Sequence, residues 1–212
     1  MLGVSLRPLR INLATKLTLL RIVCVPLLAI LVFYGRHGWV LVVFAFSALT
    51  DAADGIIART FGQKTWLGSF LDPIADKLLL VTAFISMSFL VHDPTETTGV
   101  IVVRAWITIV VIFRDIVILL GAGILQILIK DLEYRPTLLS KMTTVCQTVT
   151  ILEVASANFL ITTGRAALKQ FVFPTSILSH ITLAMTILSG LHYILVGTKI
   201  LTHYNETRQA AG

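Results

Sequence analysis

Charge is scarce in this chain, at 13% of 212 residues, where a soluble domain carries about a quarter. With 56% hydrophobic residues and a mean hydropathy of +0.90, the deficit excludes an ordinary soluble globule and points to an integral membrane protein. Cysteine is scarcer still. Cys24 and Cys146 sit alone in apolar runs, which excludes a disulfide framework or a cysteine metal site and reads as small buried packing. No Pro- or Gly-rich linker, low-complexity segment or internal repeat interrupts the chain, so residues 1–212 are read as a single domain. The first apolar run lacks a small-residue cleavage site and carries Arg21 and Pro26, so no cleavable signal peptide is expected. Acids are outnumbered by bases, 11 to 17. The bases lie between apolar runs, which favours membrane orientation and anionic lipid over nucleic acid as their reason.

The apolar runs predict an all-α integral membrane protein with six transmembrane helices, at 17–34, 38–58, 73–91, 100–129, 136–163 and 174–202. Each is near the ~20 residues that cross a bilayer. The segment before them, with Arg7, Arg10 and Lys16 among apolar residues, reads either as a juxtamembrane helix lying in the interface or as a basic tail. If the N-terminus is cytoplasmic, twelve Lys and Arg fall on that side and four (Arg36, Arg104, Arg165, Lys169) on the other, with Arg114 inside a span. The positive-inside rule then places both termini in the cytoplasm.

Against this background stands TDAADGIIARTFGQKTWLGSFLDPIAD, residues 50–76, with four aspartates. Asp51 and Asp54 are three apart, Asp72 and Asp76 four apart, so each pair shares one helix face. Gly62, Gly68 and Pro73 mark a connection that makes the two helices antiparallel neighbours. Four converging carboxylates need neutralising. Oxygen donors suit hard divalent cations, which share a site with a few carboxylates, water and substrate phosphate. Two ions can clamp a phosphoryl group. Gly55 and Ala58 leave room for a ligand near the backbone, and Arg59 suits phosphate.

The pattern Asp51-x-x-Asp54-Gly55-x-x-Ala58-Arg59, eight residues, Gly68-x-x-x-Asp72-x-x-x-Asp76 resembles the signature of the CDP-alcohol phosphatidyltransferase family at every fixed position. Leu17-Thr18-x-x-Arg21 with Pro26, and the six spans, are similar to that family too. The resemblance implies that Asp51, Asp54, Asp72 and Asp76 bind two divalent cations, Mg²⁺ or Mn²⁺, and that Asp76 is also the general base. It implies that Thr15, Thr18, Asp54, Gly55, Ala58, Arg59, Thr65 and Gly68 form the CDP-diacylglycerol site. It further implies a homodimer in a bacterial inner membrane.

Phe113-Arg114-Asp115, Ser140-Lys141-x-x-Thr144 and Ile187-Leu188-Ser189-Gly190-x-His192-Tyr193 resemble the phosphatidylglycerophosphate synthase and cardiolipin synthase branch. Arg114, Arg135 and Lys141 are then the acceptor-binding candidates, a glycerol-type acceptor being expected. Glycerol-phosphate members often carry Lys where this chain has Thr143, and Arg-Glu where it has Arg114-Asp115. Both departures lean toward phosphatidylglycerol as acceptor, whereas length and layout lean toward glycerol-3-phosphate, the reading adopted. Arg114 with Asp115 also fits a structural ion pair, and Lys141 with Arg135 also fits topology. The five histidines read as interfacial or packing residues. A membrane prenyltransferase would usually have more spans and lack the Gly-x-x-Ala-Arg insert. A cation or proton transporter would spread its acids through the membrane depth, but here they gather at one surface.

Overall fold

A computed structural model describes residues 13–61, 66–90, 100–128 and 137–210. Six helices follow in order: α1 Leu13–Phe33, α2 His37–Phe61, α3 Trp66–Ile85, α4 Ala105–Leu128, α5 Leu138–Thr162 and α6 Leu168–Ala210. One π-helical turn, Ser86–Leu90, continues α3. The described elements are helical throughout, as the apolar runs predict, and form a helical membrane protein.

Among the described residues, four stretches are long and apolar enough to cross a membrane: Lys16–Phe33, Ala105–Leu125, Leu138–Thr162 and Gln170–Thr202. Among the described residues of α2 the apolar stretch is His37–Thr50. The expectation of six spans therefore meets six helices and, among the described residues, four stretches long and apolar enough to cross.

Boundaries differ from expectation at three places. Gly68 and Pro73, read as part of a connection, lie inside α3, which begins at Trp66. A proline there gives up one backbone hydrogen bond, and the helix continues to carry both Asp72 and Asp76. Helix α4 starts at Ala105, not near residue 100, because the preceding segment is held open. Asn158 Oδ1 accepts from the Ile101 amide at 2.8 Å and its Nδ2 donates to the Ile101 carbonyl at 2.9 Å. Helix α6 runs straight through Pro174 and spans 43 residues, about 64 Å at 1.5 Å per residue.

The turns α1–α2 and α5–α6 are built alike. Gly35 (φ 63°) and Gly164 (φ 67°) hold the left-handed conformation that ends a helix without a Cβ clash. Each donates its amide to the carbonyl three residues back, and the following Arg36 or Arg165 donates five back, to Leu31 or Leu160. Both are Schellman caps. Gly38 packs against Phe159, so these turns and the Ile101 segment share one end of the bundle.

From that end inward lies the apolar core: Leu28 and Val32 of α1, Phe44 of α2, Ala83 and Phe84 of α3, Ile107 of α4, Ile151 and Val154 of α5. Helix α1 packs on α2 and α3, α5 on α2, α3 and α6, and α4 on α3 and α6. Lipid is as apolar as leucine, so close packing and interhelical hydrogen bonds carry the association. The α5–α6 seam has both. Thr150 and Thr182 hydroxyls meet at 2.7 Å, Thr175 donates to Glu153 at 2.6 Å, and Thr143 donates to the Met185 carbonyl at 3.1 Å.

Asn158 is fully buried, and its two hydrogen bonds tie α5 to the Ile101 segment. Asn158→Leu leaves the Ile101 amide and carbonyl without that partner, at about 1–3 kcal/mol for each orphaned group. A melting temperature several degrees below that of the unaltered chain, measured by thermal unfolding in detergent, is the expected result.

Candidate functional site

Past the apolar core, toward the other end of the bundle, the buried side chains turn polar. They are Thr18 and Arg21 on α1, Ser47 on α2, Arg114 and Asp115 on α4, Thr143 and Gln147 on α5, and Ser189 on α6. This is the end at which α2 finishes and α3 begins, so the aspartate motif and the polar layer share it. Asp51, Asp54, Gly55, Ala58 and Arg59 stand on the closing turns of α2, and Gly68, Asp72 and Asp76 on α3. Thr15 stands on the first turn of α1. The side chains of Thr15 and of residues 51–73 lie outside the described residues, as do Thr65 and Arg135. Helices α1 and α5 each pack on both α2 and α3 and so join the two motif-bearing helices.

Asp76 is half-buried and engaged in a polar interaction. Next to it in sequence, Lys77 sends its ammonium to Asp115 Oδ2, at 2.9 Å. The contact is a close ion pair rather than an aligned hydrogen bond. The other Asp115 oxygen accepts from Arg114 Nη1 at 2.7 Å. Arg114 Nη2 donates to Ser140 Oγ at 2.9 Å and to Ser189 Oγ. Arg114 is 4% exposed and Asp115 8%. A buried charge is stable only when paired and hydrogen-bonded, and here one carboxylate holds two cations while two hydroxyls hold the guanidinium. The cluster thereby ties α3, α4, α5 and α6 together beside Asp76. Gly190 lies against the Arg114 stem, with room for little more than a Cβ at 3.5 Å.

Lys141 follows Ser140 on the first turn of α5 and is exposed. Thr143, by contrast, is fully buried, its hydroxyl 2.8 Å from the Leu139 carbonyl and 3.1 Å from that of Met185. It is sealed into the α5–α6 seam. Thr18, a candidate CDP contact, is also fully buried and engaged.

Sequence reasoning singles out Arg114 and Lys141 but not Lys77, Ser189 or Arg21 as site residues. In the sequence Lys77 reads as a topology charge; its adjacency to Asp76 is the available signal. Arg21 is 2% exposed and engaged. An arginine eight residues into an apolar helix is its signal, because such a charge is costly unless it faces protein. Gln147 is fully buried with neither amide atom hydrogen-bonded.

Among the described residues, no group of three or more His, Cys, Asp or Glu side chains is placed to hold a metal. The donor set implied by the motif has the right chemistry nonetheless: four carboxylates, all oxygen, paired at helical spacing. Cavities of about 240 and 500 Å³ open at the opposite end, beside Arg104 and Arg36, and include no motif residue.

A family model described as CDP-alcohol phosphatidyltransferase matches residues 11–201. The chain belongs to the CDP-alcohol phosphatidyltransferase family. Within the family it is similar to a "Probable phosphatidylglycerophosphate synthase" of Mycobacterium tuberculosis, 38% identical over 122 residues, 55% of this chain and 52% of the relative. It is 37% identical over 117 residues to a CDP-diacylglycerol–glycerol-3-phosphate 3-phosphatidyltransferase of Wigglesworthia glossinidia brevipalpis, covering 52% of this chain and 58% of the relative. A relative of the same name from Pseudomonas fluorescens is 42% identical over 78 residues, 35% of this chain and 40% of the relative. The chain thus spans about half the length of the curated relatives it matches.

Proposed function

We propose that the chain transfers a phosphatidyl group from CDP-diacylglycerol to glycerol-3-phosphate, releasing CMP and forming phosphatidylglycerophosphate. The observation that carries this reading is the complete aspartate motif on the helical backbone of α2 and α3, at the end where Lys77, Asp115, Arg114, Ser140 and Ser189 converge. The names of the relatives support glycerol-3-phosphate as acceptor.

In this reading Asp51, Asp54, Asp72 and Asp76 hold two divalent cations, Mg²⁺ or Mn²⁺. When bound, these neutralise the diphosphate and stabilise charge on the phosphoryl oxygens. Thr15, Thr18, Gly55, Ala58, Arg59, Thr65 and Gly68 receive the CDP group, with the acyl tails in the bilayer. Asp76 takes the proton from the acceptor hydroxyl. As that proton moves, the acceptor oxygen bonds to the phosphorus that bears diacylglycerol, the bond from that phosphorus to the CMP oxygen breaks, and CMP leaves. Arg59 holds negative charge on the phosphoryl group. All six helices cross the inner membrane of a bacterium in this reading, α2 and α3 with their motif ends at the cytoplasmic surface. Both termini are cytoplasmic and the chain acts as a homodimer.

Lys141, Arg135 and Arg114 are assigned to the acceptor phosphate, Arg114 being fixed by its serines. Lys141→Ala is expected to raise the KM for glycerol-3-phosphate roughly tenfold, the loss of one charged contact. The KM for CDP-diacylglycerol should stay near its original value. An unchanged acceptor KM would leave Lys141 as a topology charge.

One observation favours a second acceptor. Thr143 is buried where glycerol-phosphate members often carry lysine, so this position brings no cation to a dianionic acceptor. Phosphatidylglycerol, giving cardiolipin, is the alternative. The deciding experiment incubates purified protein and CDP-diacylglycerol with either acceptor and identifies the product lipid and CMP. Phosphatidylglycerophosphate is expected. Cardiolipin would establish the alternative, and ion flux in liposomes without any CMP release would point to a transporter.

A further inference from the structure

Lys77 raises a problem for the site just described. A lysine carries a compact charge on a long flexible stem. Placed next to Asp76, one residue from a proposed metal ligand, it is within easy reach of carboxylates and would compete with a divalent cation for them. The structure directs the charge elsewhere: Lys77 pairs with Asp115 of α4. Asp115 is well suited to hold it. It is 8% exposed, and its second oxygen is fixed by Arg114, whose other terminal nitrogen is itself held by Ser140 and Ser189. At the far end of the same helix pair, Ser88 and Thr108 hydroxyls hydrogen-bond, so α3 and α4 are tied at both ends of their contact.

We infer that Asp115 is a positioning residue that holds the Lys77 ammonium on α4 and so keeps it from competing with divalent metal for the motif carboxylates. The inference rests on the metal-dependent reading above. It assigns Asp115 a role apart from acceptor binding, and it accounts for a carboxylate being buried beside two cations within the polar layer.

The test is Mn²⁺ binding to the purified full chain without substrate, read by electron paramagnetic resonance. Asp115→Asn frees Lys77 and should weaken Mn²⁺ binding roughly tenfold, the size of an ordinary coupling between sites. Removing the freed cation as well, in Lys77→Gln with Asp115→Asn, should return binding to within about twofold of the unaltered chain. A merely structural role for Asp115 predicts no such rescue. Lys77→Gln alone leaves Asp115 paired with Arg114, and it should bind Mn²⁺ at least as tightly as the unaltered chain. That variant decides the matter if Asp115→Asn does not fold. Unchanged binding in Asp115→Asn, a double variant as weak as the single, or weakened binding in Lys77→Gln each overturns the inference. Failure of the unaltered chain to bind Mn²⁺ would instead overturn the metal-dependent reading, and this inference with it.

Discussion

Asp76→Asn is expected to lower kcat by about 10³-fold or more while CDP-diacylglycerol still binds. General-base catalysis contributes about 10²–10⁴-fold, and an amide cannot take the acceptor proton. The substitution also removes one charged oxygen from the proposed metal set, so the assay is run at saturating Mg²⁺ to separate the two effects. Binding of CDP-diacylglycerol is measured directly, by titration calorimetry in nanodiscs. A loss confined to kcat is the signature of an interaction made in the transition state. Full turnover in the Asp76→Asn variant would remove Asp76 from the base role. The ordinary aspartate pKa, near ~3.9, makes it a weak base toward an alcohol. The proton must therefore move late, as the oxygen–phosphorus bond forms.

Chelation should have an equally large effect. With EDTA in excess, phosphatidyl transfer is expected to fall to the background rate, and Mg²⁺ or Mn²⁺ should restore it. The reason is electrostatic. Without cations, four carboxylates in one cluster meet a diphosphate that is itself negative, and within the motif only Arg59 opposes the repulsion. Hard cations with carboxylate, water and phosphate ligands remove it. Turnover that persists in EDTA would refute the clamp and shift attention to the cationic side chains alone.

The aspartate motif is legible in the sequence because its information is local. Asp51, Asp54, Asp72 and Asp76 declare themselves by residue type and helical spacing, and no tertiary contact is needed to see that each pair shares a face. The helices are legible for the same reason, and the Gly-Arg pairs at residues 35–36 and 164–165 close α1 and α5. What escapes is non-local. Nothing in the spacing of Lys77 and Asp115 says that they meet, since the meeting depends on how α3 rotates against α4. In the sequence Arg114 fits both an acceptor ligand and an ion-pair partner; its two serines, one on α5 and one on α6, become visible only once the bundle is assembled. Pro174 misleads for a different reason. It reads as the start of the last span, yet α6 begins at Leu168 and takes the proline into its second turn, giving up one backbone hydrogen bond. Asn158 is the counterpart: a polar residue in an apolar run whose meaning lies wholly in its partner, the Ile101 backbone.

The π-helical turn Ser86–Leu90 sets the phase in which the helix begun by α3 ends. A π turn holds one residue more than an α turn, so it is equivalent to a single-residue insertion that the fold has absorbed. That extra residue aims Ser88 at Thr108 and lets the Met87 carbonyl receive the Val103 amide at 3.4 Å. Removing one residue here would let α3 continue as a regular α-helix and rotate its last turn by about 100°. Asp76 and Lys77, upstream, would keep their places while the docking of α4 lost its register. The chain therefore separates two kinds of tolerance along one helix: its first half is fixed by chemistry, its last turn by counting.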